Sequence, residues 1–253
     1  SVEQANGFIL TQVREGKSNR EIFAMLQSRR QEWERLKATL DEWVGDSRTT
    51  SNGLSGVFQR SQTARALEAS WRKAPLAADD HSAARLLIVS YYPLPAIEAD
   101  FSHVRELILS GDGMTDPGAD AFLSRFPNLE QLTLGERGSA FGTYMGREQS
   151  LSDLPPAVSA MASLKKLRFR TGATSLAQGF SQRLATMTTL EDLDLELVRL
   201  DAAATPELDL ATLQRLKRLK IHAPELARWP ASVQSLPDLQ RLDLSRTAIA
   251  HIP

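Results

Sequence analysis

The sequence predicts an α/β fold organised as a leucine-rich-repeat solenoid. Short parallel strands would line the concave face, short helices or turns the convex face, and a helical module would precede them. Six segments share the pattern LxxLxL: Val104-Arg-Glu-Leu107-Ile-Leu109, Leu129-Glu-Gln-Leu132-Thr-Leu134, Leu164-Lys-Lys-Leu167-Arg-Phe169, Leu190-Glu-Asp-Leu193-Asp-Leu195, Leu216-Lys-Arg-Leu219-Lys-Ile221 and Leu239-Gln-Arg-Leu242-Asp-Leu244. Successive starts lie 25, 35, 26, 26 and 23 residues apart, against an ordinary repeat of about 20–29, so the long step marks one insertion. Before these repeats the hydrophobic period is helical, not strand-like.

The helical module spans residues 1–75. Ser18-Asn-Arg-Glu21 reads as a capping box, in which each side chain satisfies the other's backbone N–H. A helix then runs to about Val44 with one apolar stripe of Ile22, Leu26, Trp33, Leu36, Leu40 and Trp43. Gly45 is its expected stop. Arg29-Arg30-Gln31-Glu32 falls mostly off that stripe and is expected in solvent. Residues 45–56 have loop composition. A second helix, roughly Phe58 to Lys73, carries Ala64, Leu67 and Trp71 on one face. The two helices either pack on each other or lie across the first repeat as its cap. Two short helices bury little apolar surface alone, which favours the cap.

Residues 76–253 form the repeat region of about six to seven units. Leu87-Ile-Val89 followed by Leu94-Pro95 is a degenerate opening repeat. Amphipathic segments Ala119–Phe126, Pro156–Met161, Phe180–Met187, Leu208–Leu213 and Ala231–Leu236 precede the strands and belong to the convex side. Aliphatic LxxLxL positions point inward and the x positions outward. Trp229-Pro230 occupies the slot of Leu154-Pro155, a core place. The array stops inside a repeat at Ile252-Pro253, and the chain reads as a piece of a longer protein.

The insertion at 135–147 holds four glycines and two aromatics, a composition that disfavours helix. Phe141, Tyr144, Met145 and Arg147 make it a candidate binding loop; a tolerated insertion is the plainer reading.

Reading across repeats gives the candidate surface. One unit carries Lys165, Lys166, Arg168 and Arg170; the next Glu191, Asp192, Asp194 and Glu196; the third Lys217, Arg218, Lys220 and His222; the last Arg241 and Asp243. Arg168, Asp194, Lys220 and Asp243 should form one row of alternating sign, and Arg170, Glu196 and His222 another. Such rows either neutralise themselves, each exposed pair contributing about 0–1 kcal/mol, or form a charged ledge that selects a protein partner.

Composition narrows the alternatives. Thirty basic and 31 acidic side chains give a net charge of −1 over 253 residues, which argues against a general nucleic-acid or membrane-surface binder. No apolar run reaches the length of a membrane span. With no cysteine, disulfides, thiolate metal sites and a cysteine nucleophile are excluded within this segment. His81, His103, His222 and His251 are not at metal-ligand spacing, and Gly111-Asp-Gly113 lacks the rest of a phosphate-loop fingerprint. No catalytic centre, metal or cofactor is expected.

Leu242-Asp-Leu244-Ser-Arg-Thr-Ala-Ile249-Ala-His-Ile252-Pro253 resembles the bacterial repeat LxLxxNxLxxLP, with Thr247 in place of asparagine. Together with Arg29-Arg-Gln-Glu-Trp33-Glu-Arg-Leu36, Asp100-Phe101-Ser102-His103-Val104 and Phe122-Leu-Ser-Arg-Phe126-Pro127-Asn128-Leu129, it resembles large bacterial dermonecrotic-toxin-like effectors that place such repeats before a NEL-type ubiquitin ligase domain. The resemblance implies a secreted protein delivered into a host cell. It implies a catalytic cysteine outside this segment, and recognition of a host protein or of the downstream ligase domain by the repeats.

Overall fold

The structure is a computed structural model that describes residues 2–46, 53–74, 81–111, 113–114, 118–135, 150–202 and 207–251. Three helices come first: α1 (Val2–Arg14), α2 (Asn19–Gly45) and α3 (Gly53–Lys73). Seven strands follow: β1 (Arg85–Val89), β2 (Glu106–Ser110), β3 (Gln131–Leu134), β4 (Lys166–Thr171), β5 (Asp192–Leu197), β6 (Arg218–Ala223) and β7 (Arg241–Thr247). They form one open, wholly parallel sheet in the order of the chain.

Parallel neighbours need a crossover between them. Here these are α4 (Gly118–Leu123), α5 (Pro156–Ser159) and α6 (Phe180–Ala185), then turns around 208–213 and a 3₁₀ turn at Ala231–Ser235. These are the five amphipathic segments expected from the sequence.

Register fixes the core. Leu86, Leu107, Leu132, Leu167, Leu193, Leu219 and Leu242 stand opposite one another through all seven strands. A second column runs Ile88, Leu109, Leu134, Phe169, Leu195 and Ile221. Both columns are buried, except at the last strand, where Leu242 is 36% exposed. Each buried Leu contributes about 1.5–3 kcal/mol by leaving water, and no unit can bury its own stripe without its neighbours.

The backbone repeats the same contacts. The carbonyls of Ala84, Arg105, Glu130, Lys165, Glu191 and Lys217 each accept two N–H groups from the residues entering the next strand. Backbone polar groups facing the core are thus satisfied by the adjacent unit. The opening repeat is real, but its inward residues are Leu86 and Ile88. Leu87 and Val89 point outward and are among the exposed large apolar side chains.

Helix α3 lies on β1, and α2 packs on α3. Leu36, Leu40, Ala64, Leu67 and Trp71 join the same buried cluster as Leu86, Val104 and Leu107. The capping box forms as expected: Ser18 Oγ accepts from the Glu21 N–H, and Glu21 accepts from the Ser18 N–H at 2.8 Å. Helix α2 ends at Gly45 without the left-handed conformation expected of a glycine stop; Asp46 leaves in an extended conformation instead.

The expectation that Arg29–Glu32 lies in solvent is overturned at both ends of that run. Arg29 donates to the Trp71 carbonyl at 2.9 Å and stands 4.0 Å over the Trp71 ring. Glu32 accepts the Asp100 N–H at 2.6 Å. Helix α2, packed on α3, uses the flanks of its apolar stripe for polar contacts, and the stripe alone does not reveal them.

Candidate interaction surface

The strands alternate inward and outward side chains, so the outward residues of β4, β5, β6 and β7 form a grid at strand spacing. Both expected rows form. Register places Arg168 beside Asp194, Asp194 beside Lys220, and Lys220 beside Asp243. It places Arg170 beside Glu196 and Glu196 beside His222, and an irregularity in β7 adds Arg246 to that row.

Within the grid, the four acids of the β5 unit are each met by a cation. Lys217 bonds Glu191 at 2.7 Å, and Arg218 bonds Asp192 at 3.0 Å. Arg168 bonds Asp194 at 3.0 Å. Lys220 reaches both Asp194 and Glu196 at 3.1 Å, and Arg170 bonds Glu196. Toward the first strands the pairs are sparser: Lys165 with Glu130 at 4.0 Å and Arg85 with Glu106 at 3.2 Å.

Not all x positions face solvent as expected. Asp194 and Arg170 are each only 8% exposed, because neighbouring side chains close over them. The chemistry follows. Burial pushes the Glu196 carboxyl up, but hydrogen bonds from Lys220 and Arg170 outweigh it and hold the group below its ordinary range. Burial opposes the charge of Lys220, yet its bonds to Glu196 and Asp194 raise it above an ordinary lysine. Glu191 is lowered by its bond from Lys217. Asp243 turns to its own strand, accepting from the Ser245 N–H and hydroxyl, and is lowered by them. Self-neutralisation therefore operates across β4, β5 and β6.

Of the other candidates, Lys166 and Arg241 are exposed. Phe141, Tyr144, Met145 and Arg147 lie outside the described residues. His103 is half-buried: it stacks on Phe101 and bonds Ser70 near the end of α3, and burial lowers its pKa. Trp229 packs against the core with its ring partly buried. Among the described residues no cluster of His, Cys, Asp or Glu suits a metal ion, and no helix is long and apolar enough to cross a membrane.

The repeat pattern puts Ile108 outward, as found, but does not reveal that Leu87 and Val89 extend an apolar end of this face. Leu87, Val89 and Ile108 sit on the outward positions of β1 and β2. Aligning Leu86 with Leu107 would have revealed the first two, since the outward set then falls on the alternate residues.

No protein-family model matches the chain, and no curated protein matches it. Among solved structures it is similar to a leucine-rich-repeat protein of Leptospira interrogans, at 16% identity and a TM-score of 0.35. That similarity covers 72% of this chain and 53% of the other, so the chain spans about half of that protein's length.

Proposed function

We propose that residues 81–251 are a leucine-rich-repeat solenoid serving as a protein-interaction module. Its outward sheet face recognises the partner, and residues 1–75 cap its first strand. The segment carries no catalytic centre of its own. One observation carries the reading: seven parallel strands paired in chain order present a single continuous grid of side chains, a rigid display suited to macromolecular recognition.

The toxin-like segments around Arg29–Leu36, Asp100–Val104 and Phe122–Leu129 support a finer reading. On it the module belongs to a secreted bacterial effector delivered into a host cell, with a ubiquitin ligase domain and its cysteine elsewhere in the protein. The second reading is a repeat scaffold without an attached enzyme. The encoded sequence after Pro253 separates them: a helical domain bearing a cysteine motif supports the first, and its absence removes it.

The recognition reading is tested by comparing capture of host proteins by the native chain and by Lys217→Glu/Arg218→Glu/Lys220→Glu. A partner held by this face is lost in the variant and depends on salt, since screening weakens exposed charge contacts. Equal capture by both chains would move recognition off this face.

A further inference from the structure

Resting on the recognition reading above, we infer that the partner is a protein presenting an acidic segment, with an apolar side chain placed to sit on Leu87 and Val89. The ion pairs of β4, β5 and β6 are asymmetric. Their carboxylates are the covered halves: Asp194, Glu196 and Asp192 keep 11%, 13% and 19% of their side-chain surface. Their cations stay outward: Lys220, Arg168 and Arg218 keep 37%, 42% and 58%; Arg170, at 9%, is the exception and is covered together with Glu196. A face whose charges are paired thus shows mostly N–H donors to whatever lands on it.

Three more cations extend this character. Lys166, Arg241 and Arg246 are exposed and form no ion pair among the described residues. The chain as a whole is at −1, so the cationic face is local and not a reflection of composition. An incoming carboxylate finds free or shared donors there. An incoming ammonium would have to displace Arg168 or Lys220 from a bond already made.

The other end of the face is apolar. Leu87 is 53% and Val89 41% exposed, next to half-buried Ile108. Strands lie about 4.8 Å apart, so β1 is roughly 14 Å from β4, or about four residues of extended chain. A segment with an apolar residue at one end and acids four or more residues away matches both ends. Nucleic acid fits less well: no Phe, Tyr or Trp stands on the outward positions of the strands for bases to stack on, and His222 is the one ring there.

The test is selection of random dodecapeptides displayed on phage against the full chain, with binding measured by fluorescence anisotropy at low and high salt. Enriched peptides should carry several Asp or Glu and one large apolar residue four or more positions away. Affinity should fall about tenfold or more in Lys166→Gln/Arg241→Gln/Arg246→Gln, and again in Leu87→Ser/Val89→Ser. These are exposed positions, and circular dichroism checks that both variants remain folded. Enrichment of basic or uncharged peptides that still compete for this face would overturn the acidic assignment and leave the recognition reading standing. Enrichment no greater than for an unrelated control protein, or binders indifferent to both variants, would overturn both. A twelve-thymidine oligonucleotide that outcompetes the acidic peptides would reassign the face to nucleic acid and overturn the inference.

Discussion

The Lys220 ammonium lies 3.1 Å from the Asp194 carboxylate, although 26 residues separate them in the chain. It also reaches Glu196, two residues on from Asp194 in β5, so one lysine bridges two carboxylates that the strand's alternation puts on one face. Lys220→Ala should therefore cost more than removal of an ordinary surface lysine. Two partly covered carboxylates would face each other with fewer compensating donors, a loss of about 1–2 kcal/mol. Urea denaturation with an unchanged m-value measures it; a shift below the error of the fit would show that water replaces the ammonium.

Glu196 should make stability depend on acid. Its folded pKa lies below its ordinary value because Lys220 and Arg170 outweigh burial. The unfolded chain, with a glutamate near about 4.3, then binds the proton more readily than the folded one. The stabilisation is complete above the unfolded value and is lost as pH falls through the lower folded one. Thermal melts of the native chain and Glu196→Gln should converge as pH drops below about 4. Parallel curves would refute the assignment.

The leucine column should show a gradient. Leu193 lies in the middle of the stack with no exposed surface, and Leu242 at its last strand is 36% exposed. Leu193→Ala is expected to cost about 3–5 kcal/mol, and Leu242→Ala about 1 kcal/mol, since a half-open site leaves little cavity. Chemical denaturation of both variants, compared with the native chain, decides it.

Two glycines should respond oppositely to alanine. Gly111 follows β2 with φ +95, and a Cβ there would collide with the Ser90 carbonyl oxygen. Gly111→Ala should destabilise by more than about 2 kcal/mol. Gly7, inside α1, has open space where a Cβ would stand, so Gly7→Ala should stabilise by up to about 1 kcal/mol. Melting temperatures of the two variants read the signs directly.

Removal of residues 1–75 should uncover the apolar surface shared by β1 with Leu40, Leu67 and Trp71. Exposed contiguous apolar surface promotes self-association. Light scattering of a 76–253 fragment tests this, and a monodisperse monomer would argue that the helices are dispensable to the first repeat.

The sequence by itself determined the inward column, the limits of α2 and the alternation of charge between repeats, but not the start of α3, which lies at Gly53 inside the stretch of loop composition. These depend on periodicity, and period 2 against period 3.6 is written into the spacing of Leu107, Leu109, Leu36 and Leu40. The phase of the opening strand was not legible, because Leu86-Leu87-Ile88-Val89 is apolar at every position and offers no alternation. Nor were the contacts of Arg29, Glu32 and His103, which join residues between 33 and 68 positions apart. Only tertiary structure decided which halves of the ion pairs are covered. Arg168, Arg218 and Lys220 reach over the shorter carboxylates of the strand between them, while Arg170 is covered with Glu196, and both outcomes depend on the neighbours a parallel sheet supplies.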